Sequence, residues 1–359
     1  MFNNIANQLI EKYKNLKISQ YKNQPSLQDA NKMQQLLQNN VFARQIVGLS
    51  QSLCLKYDRN PDWYSIVMDT IDLSKIYSNV ENIPQESQSS GETKEDLDYE
   101  ATLVKELLRY FKEDFFTWCD KPICLTCGTK EHQVFKCTKS PNNLEKSGDP
   151  GCSVVEVYEC NVCHGLTRFP RYNNPIKLLE TRTGRCGEWC NLFMLFLKSF
   201  GLKSRYIWNK EDHVWCEYYS DKEKRWIHLD PCEKSYDEPF IYSRNWNKKM
   251  SYVFAFGNDG VVDVSKRYIV ESKNQLPRKD IDETDLKFLF QQLTKSLRRG
   301  LNDEELYRLG CRDELEKLEL GGYSRTTEKN TTSTTDTVGR ISGSADWKSS
   351  RGEDGGATE

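Results

Sequence analysis

Two Cys-x-x-Cys pairs constrain this chain more than any other feature. They are Cys124-Leu-Thr-Cys127 and Cys160-Asn-Val-Cys163, separated by residues 128–159. Two thiolates three apart can chelate one ion from a tight turn, and Gly128 and Gly165 suit such turns. Two knuckles complete a tetrahedral four-thiolate shell, which Zn2+ prefers and which leaves no open position for a substrate. One structural Zn2+ on Cys124, Cys127, Cys160 and Cys163 is therefore expected. The separation exceeds the usual span of roughly 15–20 residues, so the insert is expected to form a hairpin. Cys137, Cys152, His132 and His164 are alternative ligands. A redox or disulfide pair competes with this reading. A DNA-reading finger is disfavoured, because no basic recognition helix follows.

Cysteine usage supports a thiol or metal reading. There are 13 Cys, an odd number, and Met1 to Gln20 lacks the apolar core of a secretory signal, so a disulfide framework is disfavoured. Lys+Arg is 51 against Asp+Glu 53, a balance that gives no reason to expect nucleic acid or an anionic membrane as partner. No run of about 18 apolar residues is present, so no membrane span is expected.

Periodicity divides the 359 residues. Residues 1–83 are expected to be helical. Ile5, Leu9, Ile10, Tyr13 and Leu16 form an amphipathic stripe over 2–17, and a second helical pattern covers 28–56. Residues 84–98 read as a polar linker. A mixed helix-and-strand core is expected over 99–282, with the zinc-binding subdomain at about 117–170. Within this core one apolar helix spans 181–200. Strand-like runs follow at Ser204–Trp208, His213–Tyr219 and Arg225–Asp230. Residues 283–320 suggest two charged helices broken at Gly300, and 321–359 read as mostly disordered.

Cys186 opens the apolar helix, bracketed by Gly184 and Gly187. A thiol in a first helical turn faces unpaired N–H groups and the positive end of the dipole, which raise its thiolate fraction. The same N–H groups can hold a developing oxyanion. Further on, His213 begins one strand and Asp230 ends the next, with a short polar turn between. A tight hairpin centred on Asp221–Lys222 would set Tyr219 opposite Lys224, Glu217 opposite Trp226, and His213 opposite Asp230. Val214, Cys216, Tyr218, Ile227 and Leu229 would share the other face. His228, the competing histidine, would face Trp215 rather than a carboxylate, so His213 is preferred as the base.

The order Cys186…His213…Asp230, with its flanks, resembles the transglutaminase-like thiol superfamily, and within it the fungal cytoplasmic peptide:N-glycanases. The motifs that carry this are Gly184-Arg-Cys-Gly-Glu-Trp189, Asp212-His-Val-Trp215, Trp226-Ile-His-Leu-Asp-Pro-Cys-Glu233 and the two upstream knuckles. Phe115-Phe-Thr-Trp118 and the tail piece Gly339-Arg-Ile-Ser-Gly…Trp347…Arg351-Gly-Glu353 also fit. One departure is Cys190, where a small residue such as Ala is expected. It is either a buried small side chain or a thiol able to capture an oxidised Cys186.

The resemblance implies an α+β fold: a transglutaminase-like, papain-like thiol hydrolase core with an antiparallel sheet, an inserted zinc subdomain and flanking helices. It implies hydrolysis of the amide joining an N-glycan to asparagine, with Cys186 as nucleophile, His213 as acid–base and Asp230 orienting the imidazole. Trp118 is a candidate oxyanion donor. Trp215, Trp226 and Glu233 are candidates for contacting the glycan, with core packing as the alternative. Implied partners are denatured high-mannose N-glycoproteins, and a proteasome-shuttle protein of the ubiquitin-like DNA-repair class docked on the terminal helices. The implied setting is the cytosol, and also the nucleus, in the degradation of misfolded glycoproteins from the endoplasmic reticulum. A transglutaminase, a thiol protease and a non-catalytic binding module of the same fold are the alternatives.

Overall fold

Capping residues decide where the helices of this chain start and stop. The computed structural model describes residues 2–22, 25–87 and 98–322. Helix α1 (Phe2–Lys22) is followed by α2 (Leu27–Asn39) and α3 (Val41–Leu53). The single helical pattern expected over 28–56 is two helices because Asn40 leaves helical geometry. Its backbone is extended, and its side chain accepts from the Ala43 N–H to cap α3. Helices α4 (Asp62–Thr70) and α5 (Leu73–Ser87) follow. Helix α5 enters the segment expected as linker; residues 88–97 lie outside the described residues.

Helix α6 (Tyr99–Tyr110) widens into a π turn over Phe111–Phe115 and leads to a short strand, β1 (Thr117–Trp118). The cysteine-bearing insert holds β2 (Gln133–Lys139), a small helix α7 (Asn143–Gly148), β3 (Val155–Cys160) and β4 (Leu166–Pro170). These strands form an antiparallel sheet in the order β2-β3-β4. The expected hairpin is thus present, with α7 inserted in its connection.

The helix expected over 181–200 starts later. Helix α8 (Pro175–Thr181) ends at Arg182, whose φ of 50° is left-handed. Strand β5 (Thr183–Gly184) then pairs in parallel with β1, and α9 (Cys186–Ser199) begins. The main sheet contains β6 (Ser204–Asn209), β7 (His213–Ser220), β8 (Arg225–Asp230), β9 (Ser235–Tyr236), β10 (Val253–Gly257) and β11 (Gly260–Asp263). Its order is β11-β10-β6-β7-β8-β9, antiparallel throughout. Helix α10 (Ser265–Tyr268) precedes α11 (Glu283–Leu297) and α12 (Asp303–Leu320). The break between the last two lies at Gly300, which adopts a φ of 92°. The expected tail falls, from residue 323 on, outside the described residues.

The sheet is buried on both faces. One face packs Cys216, Tyr218, Ile227 and Leu229 against α9, whose Leu192, Phe193 and Phe196 meet Phe111 and the α4–α6 helices. The other face packs Ile207, Trp215, Val253 and Ala255 against Tyr242 and Tyr268. Helix α12 meets this second face through a buried charge cluster. Glu316 pairs with Arg205 and Arg267, and both arginines also pair with Glu217. All four side chains are buried. Among the described residues, no helix is long and apolar enough to cross a membrane.

Candidate functional site

The two Cys-x-x-Cys segments fold as matching turns. Gly128 N–H donates to the Cys124 carbonyl at 2.9 Å, and His164 N–H donates to the Cys160 carbonyl at 2.9 Å. Each turn needs a left-handed residue immediately after its second cysteine. Gly128 supplies it in the first (φ 74°) and His164 in the second (φ 53°). Gly165, expected in that role, serves another: a Cβ there would lie 2.4 Å from Thr126 Oγ1, so it lets the turns approach. The Sγ atoms of Cys124 and Cys163 are 3.5 Å apart and those of Cys127 and Cys160 3.6 Å. All four sulfurs lie within 4.8 Å of one another. A tetrahedron with metal–sulfur bonds of about 2.3 Å has edges of about 3.8 Å, so this cluster can hold one metal ion. Cys137, Cys152, His132 and His164 are not part of it. Among the described residues no disulfide links any cysteine.

The cluster's sheet grips the start of α9. Glu156 on β3 accepts from both terminal nitrogens of Arg185 at 2.7 Å and from Arg171 at 3.0 Å. Arg171 also forks onto Glu188 at 2.6 and 3.0 Å. Glu188 turns back to accept the Arg185 N–H at 3.0 Å, which closes the first turn of α9. Arg185 donates further to the Cys119 carbonyl and the Tyr158 hydroxyl. The residue before Cys186 is thereby fixed by buried charge-assisted bonds from a different sheet.

Cys186 is the first residue of α9 and is half-buried. The two bracketing glycines differ. A Cβ at Gly184 would meet Glu188 Cβ at 2.4 Å, whereas Gly187 has nothing within 4 Å. Gly184 is thus demanded by packing, whereas Gly187 faces open space. The β1–β5 pairing sets Trp118 opposite Gly184. The Trp118 indole N–H is buried and has no partner among the described residues.

His213 Nε2 donates to Asp230 Oδ2 at 2.9 Å, and both side chains are buried. The pair forms in a different register from the one expected. Ser220 pairs with Arg225, Tyr219 with Trp226 and Glu217 with His228. A four-residue loop, with Lys224 at φ 57°, replaces the two-residue turn. Lys224 N–H closes it onto the Ser220 carbonyl at 2.9 Å. The offset is two residues, so it preserves which face each side chain occupies. His213 and Asp230 therefore remain on one face, as diagonal rather than direct neighbours.

Asp230 is held at both oxygens. Oδ1 accepts the N–H groups of Cys232 at 2.9 Å and Glu233 at 3.4 Å. Oδ2 accepts from His213 and from the Tyr242 hydroxyl at 2.9 Å. Burial pushes this carboxyl up, but His213, with His228 and Tyr242, outweighs it and holds it below the usual range. The Cys232 thiol lies buried beside this pair. Burial pushes it well up, and the charges of Asp230 and Cys186 both add to the rise.

The remaining expected residues divide. Trp215 is wholly buried, stacked on Tyr242 with ring centroids 4.1 Å apart. Trp226 lies under the Arg205 guanidinium at 3.9 Å and is also buried. Both rings are packing residues, not surfaces for a sugar. Glu233 is half-buried beside Asp230. The Cys190 thiol points into the interior, donating to the Trp215 carbonyl at 3.1 Å and lying 3.4 Å from Cys216 Sγ, so it is the buried small side chain. Sequence reasoning missed Tyr242, Glu156, Arg171 and Trp246. The Trp246 ring lies 5.4 Å from His213 and 5.2 Å from Tyr242. None of the four belongs to a motif, so no local signal marked them.

The transglutaminase-like superfamily profile matches residues 145–231, a span containing Cys186, His213 and Asp230, and the Rad4 transglutaminase-like domain matches residues 206–321. A Kluyveromyces lactis protein named peptide-N(4)-(N-acetyl-beta-glucosaminyl)asparagine amidase is 54% identical over 352 residues, covering 98% of this chain and 97% of the relative. A Saccharomyces cerevisiae protein of the same name is 54% identical over 360 residues, covering 99% and 97%. A crystal structure of Rad4-Rad23 crosslinked to undamaged DNA aligns with 80% of this chain and 60% of its own at 14% identity and a TM-score of 0.42.

Proposed function

The chain belongs to the peptide-N(4)-(N-acetyl-beta-glucosaminyl)asparagine amidases, hydrolases with a transglutaminase-like domain, and we propose that it releases N-glycans through Cys186, His213 and Asp230. The observation that carries the assignment is the buried His213–Asp230 pair at 2.9 Å, within the same transglutaminase-like span as Cys186.

Asp230 holds His213 by Nε2, leaving Nδ1 as the working nitrogen. The Cys186 thiolate attacks the carbonyl carbon of the glycosylated asparagine side chain. The oxyanion is held by first-turn N–H groups of α9 and by the Trp118 indole N–H. The carbon–nitrogen bond breaks, and the glycosylamine leaves with a proton from imidazolium His213. Water, deprotonated by His213, then cleaves the thioester, giving aspartate and the thiol. The four-cysteine cluster would hold one Zn2+ with a closed shell; the ion would serve structure, and no step passes through it.

Denatured high-mannose glycoproteins are the substrates in this reading, within the disposal of misfolded glycoproteins. The setting in this reading is the cytosol, and also the nucleus. Peptide mass analysis after incubation with such a substrate tests the reading. Asparagine converted to aspartate at each former glycan site is expected. Transfer to an amine in place of water would identify a transglutaminase.

A docking role for α1 has its own support. Its C-terminal half is fastened to α12 by Lys17–Glu314 at 2.5 Å and Tyr21–Asp313 at 2.8 Å. Its stripe of Ile5, Leu9, Ile10, Tyr13 and Leu16 nonetheless stays exposed, Leu9 at 62%. This stripe is the surface offered to a ubiquitin-like shuttle protein of the DNA-repair class. Leu9→Asp should weaken that binding and spare glycan release.

A further inference from the structure

Behind Asp230 lies a chain of buried groups that the mechanism above does not use. Glu238 N–H donates to His228 Nδ1 at 3.3 Å. That acceptor role fixes the tautomer: the proton of neutral His228 sits on Nε2, 2.7 Å from the Tyr242 hydroxyl oxygen. The Tyr242 hydroxyl, receiving this bond, directs its own proton to Asp230 Oδ2 at 2.9 Å. The same oxygen takes the His213 bond. Every donor and acceptor along the line has one role.

We propose that His228 and Tyr242 are positioning residues that set the basicity of His213 by sharing the Asp230 oxygen to which it is bonded. A donor on Oδ2 draws electron density from that oxygen and weakens its pull on the imidazolium. Without Tyr242 the carboxylate would favour imidazolium more strongly, and His213 would release its proton to the leaving amine less readily. His228 acts one step further back, orienting the Tyr242 hydroxyl.

His228 can keep this role because it stays neutral. It is wholly enclosed, and burial lowers its pKa to about 4, although Asp230, Glu217 and Asp237 push it up; His213 lowers it further. The groups facing it account for this balance. Glu217, its cross-strand neighbour, is itself engaged by Arg205 and Arg267. Asp237 is engaged by Arg225. Trp215 and Tyr268 supply ring contacts. Tyr242 is wholly buried against Trp215, so its removal is best made isosterically.

The inference rests on the proposed catalytic use of His213 and is tested by Tyr242→Phe, which deletes only the hydroxyl. Asp230 remains fixed through the Cys232 and Glu233 N–H groups. The His213 pKa, read by imidazole NMR on Cys186→Ala protein, should rise by about half to one unit, a part of the roughly one to two units that a hydrogen bond to a charged group is worth, because Tyr242 acts on His213 only through the shared oxygen. The chain has 4 His in all, which makes the assignment tractable. In the active background the alkaline limb of kcat/KM should move up alongside it. His228→Leu should shift it the same way by less, and His228→Gln, which keeps an N–H donor, should restore it. The double variant Tyr242→Phe/His228→Leu should shift no further than Tyr242→Phe alone. An unmoved His213, or additive shifts, overturns the inference. A shifted His213 in a protein whose glycan release survives Cys186→Ala would instead overturn the proposed mechanism and leave this inference standing.

Discussion

The thiol cluster and the Cys186–His213–Asp230 site are both sets of reactive side chains, but the chain assembles them differently. Each half of the cluster is a turn of a few residues, closed by its own backbone bonds. The other site takes one residue from a helix start and two from strands of another sheet. It depends on partners such as Tyr242, Arg171 and Glu156 that no motif contains. Local geometry builds a metal site, while the candidate catalytic site needs the tertiary fold. The two meet at Glu156, whose carboxylate on β3 clamps Arg185 next to Cys186.

Metal removal tests this connection most severely. Structural zinc contributes on the order of 10 kcal/mol to small thiolate domains. Chelation should therefore unfold the β2–β4 sheet, seen by circular dichroism, and abolish glycan release as the Glu156 clamp loosens. Retained activity after chelation would show the two regions to be independent. The next largest effect is confined to one side. Cys186→Ala should cost at least about 10⁴-fold in turnover while leaving bound metal at about one ion per chain. Turnover like that of the unmodified protein would remove Cys186 from the mechanism.

Glu156→Gln probes the junction itself. Breaking a buried, arginine-paired carboxylate costs about 3–5 kcal/mol, so the melting temperature should fall and activity with it, while the metal stays bound. Loss of metal instead would place the clamp's main effect on the cluster side. Acid should separate the regions by degrees. Thiolate sites lose metal as their ligands protonate. On the far face of the main sheet, Glu316 keeps its charge to lower pH. Burial would raise its pKa, yet Arg205 and Arg267 hold it to about 2. Its contribution is complete above the ordinary glutamate range and is lost as pH falls from about 4.5 toward about 2. The loss is about 3 kcal/mol. Metal release should therefore precede the loss of α12 docking when both are followed against pH; simultaneous loss would contradict the separation.

Much of this was legible in the sequence where one short segment determines the outcome. The cysteine spacing determines the knuckles, although the left-handed residue of the second is His164 rather than the adjacent glycine. Strand alternation assigned His213 and Asp230 to one face, and that survived a register offset because the offset is even. The four-residue loop was not legible, since Lys224 carries no turn signature yet adopts the left-handed form. Nor could composition tell an exposed tryptophan from a buried one. Trp215 and Trp226 are enclosed by Tyr242 and Arg205, residues distant in sequence whose approach is a tertiary event.

Helix α12 carries a consequence for how the protein is made. Until Glu316 leaves the ribosome, Arg205 and Arg267 have Glu217 as their shared carboxylate, two guanidinium groups against one anion in a space built to exclude water. Closing the face of β7 and β8 that bears His213 and Asp230 before α12 docks would bury a guanidinium without its second carboxylate, at a cost of several kcal/mol. The thiol and the cysteine turns are thus synthesised before the charge balance of the acid–base half is complete. A chain that stops before Asp303 would carry this uncompensated charge.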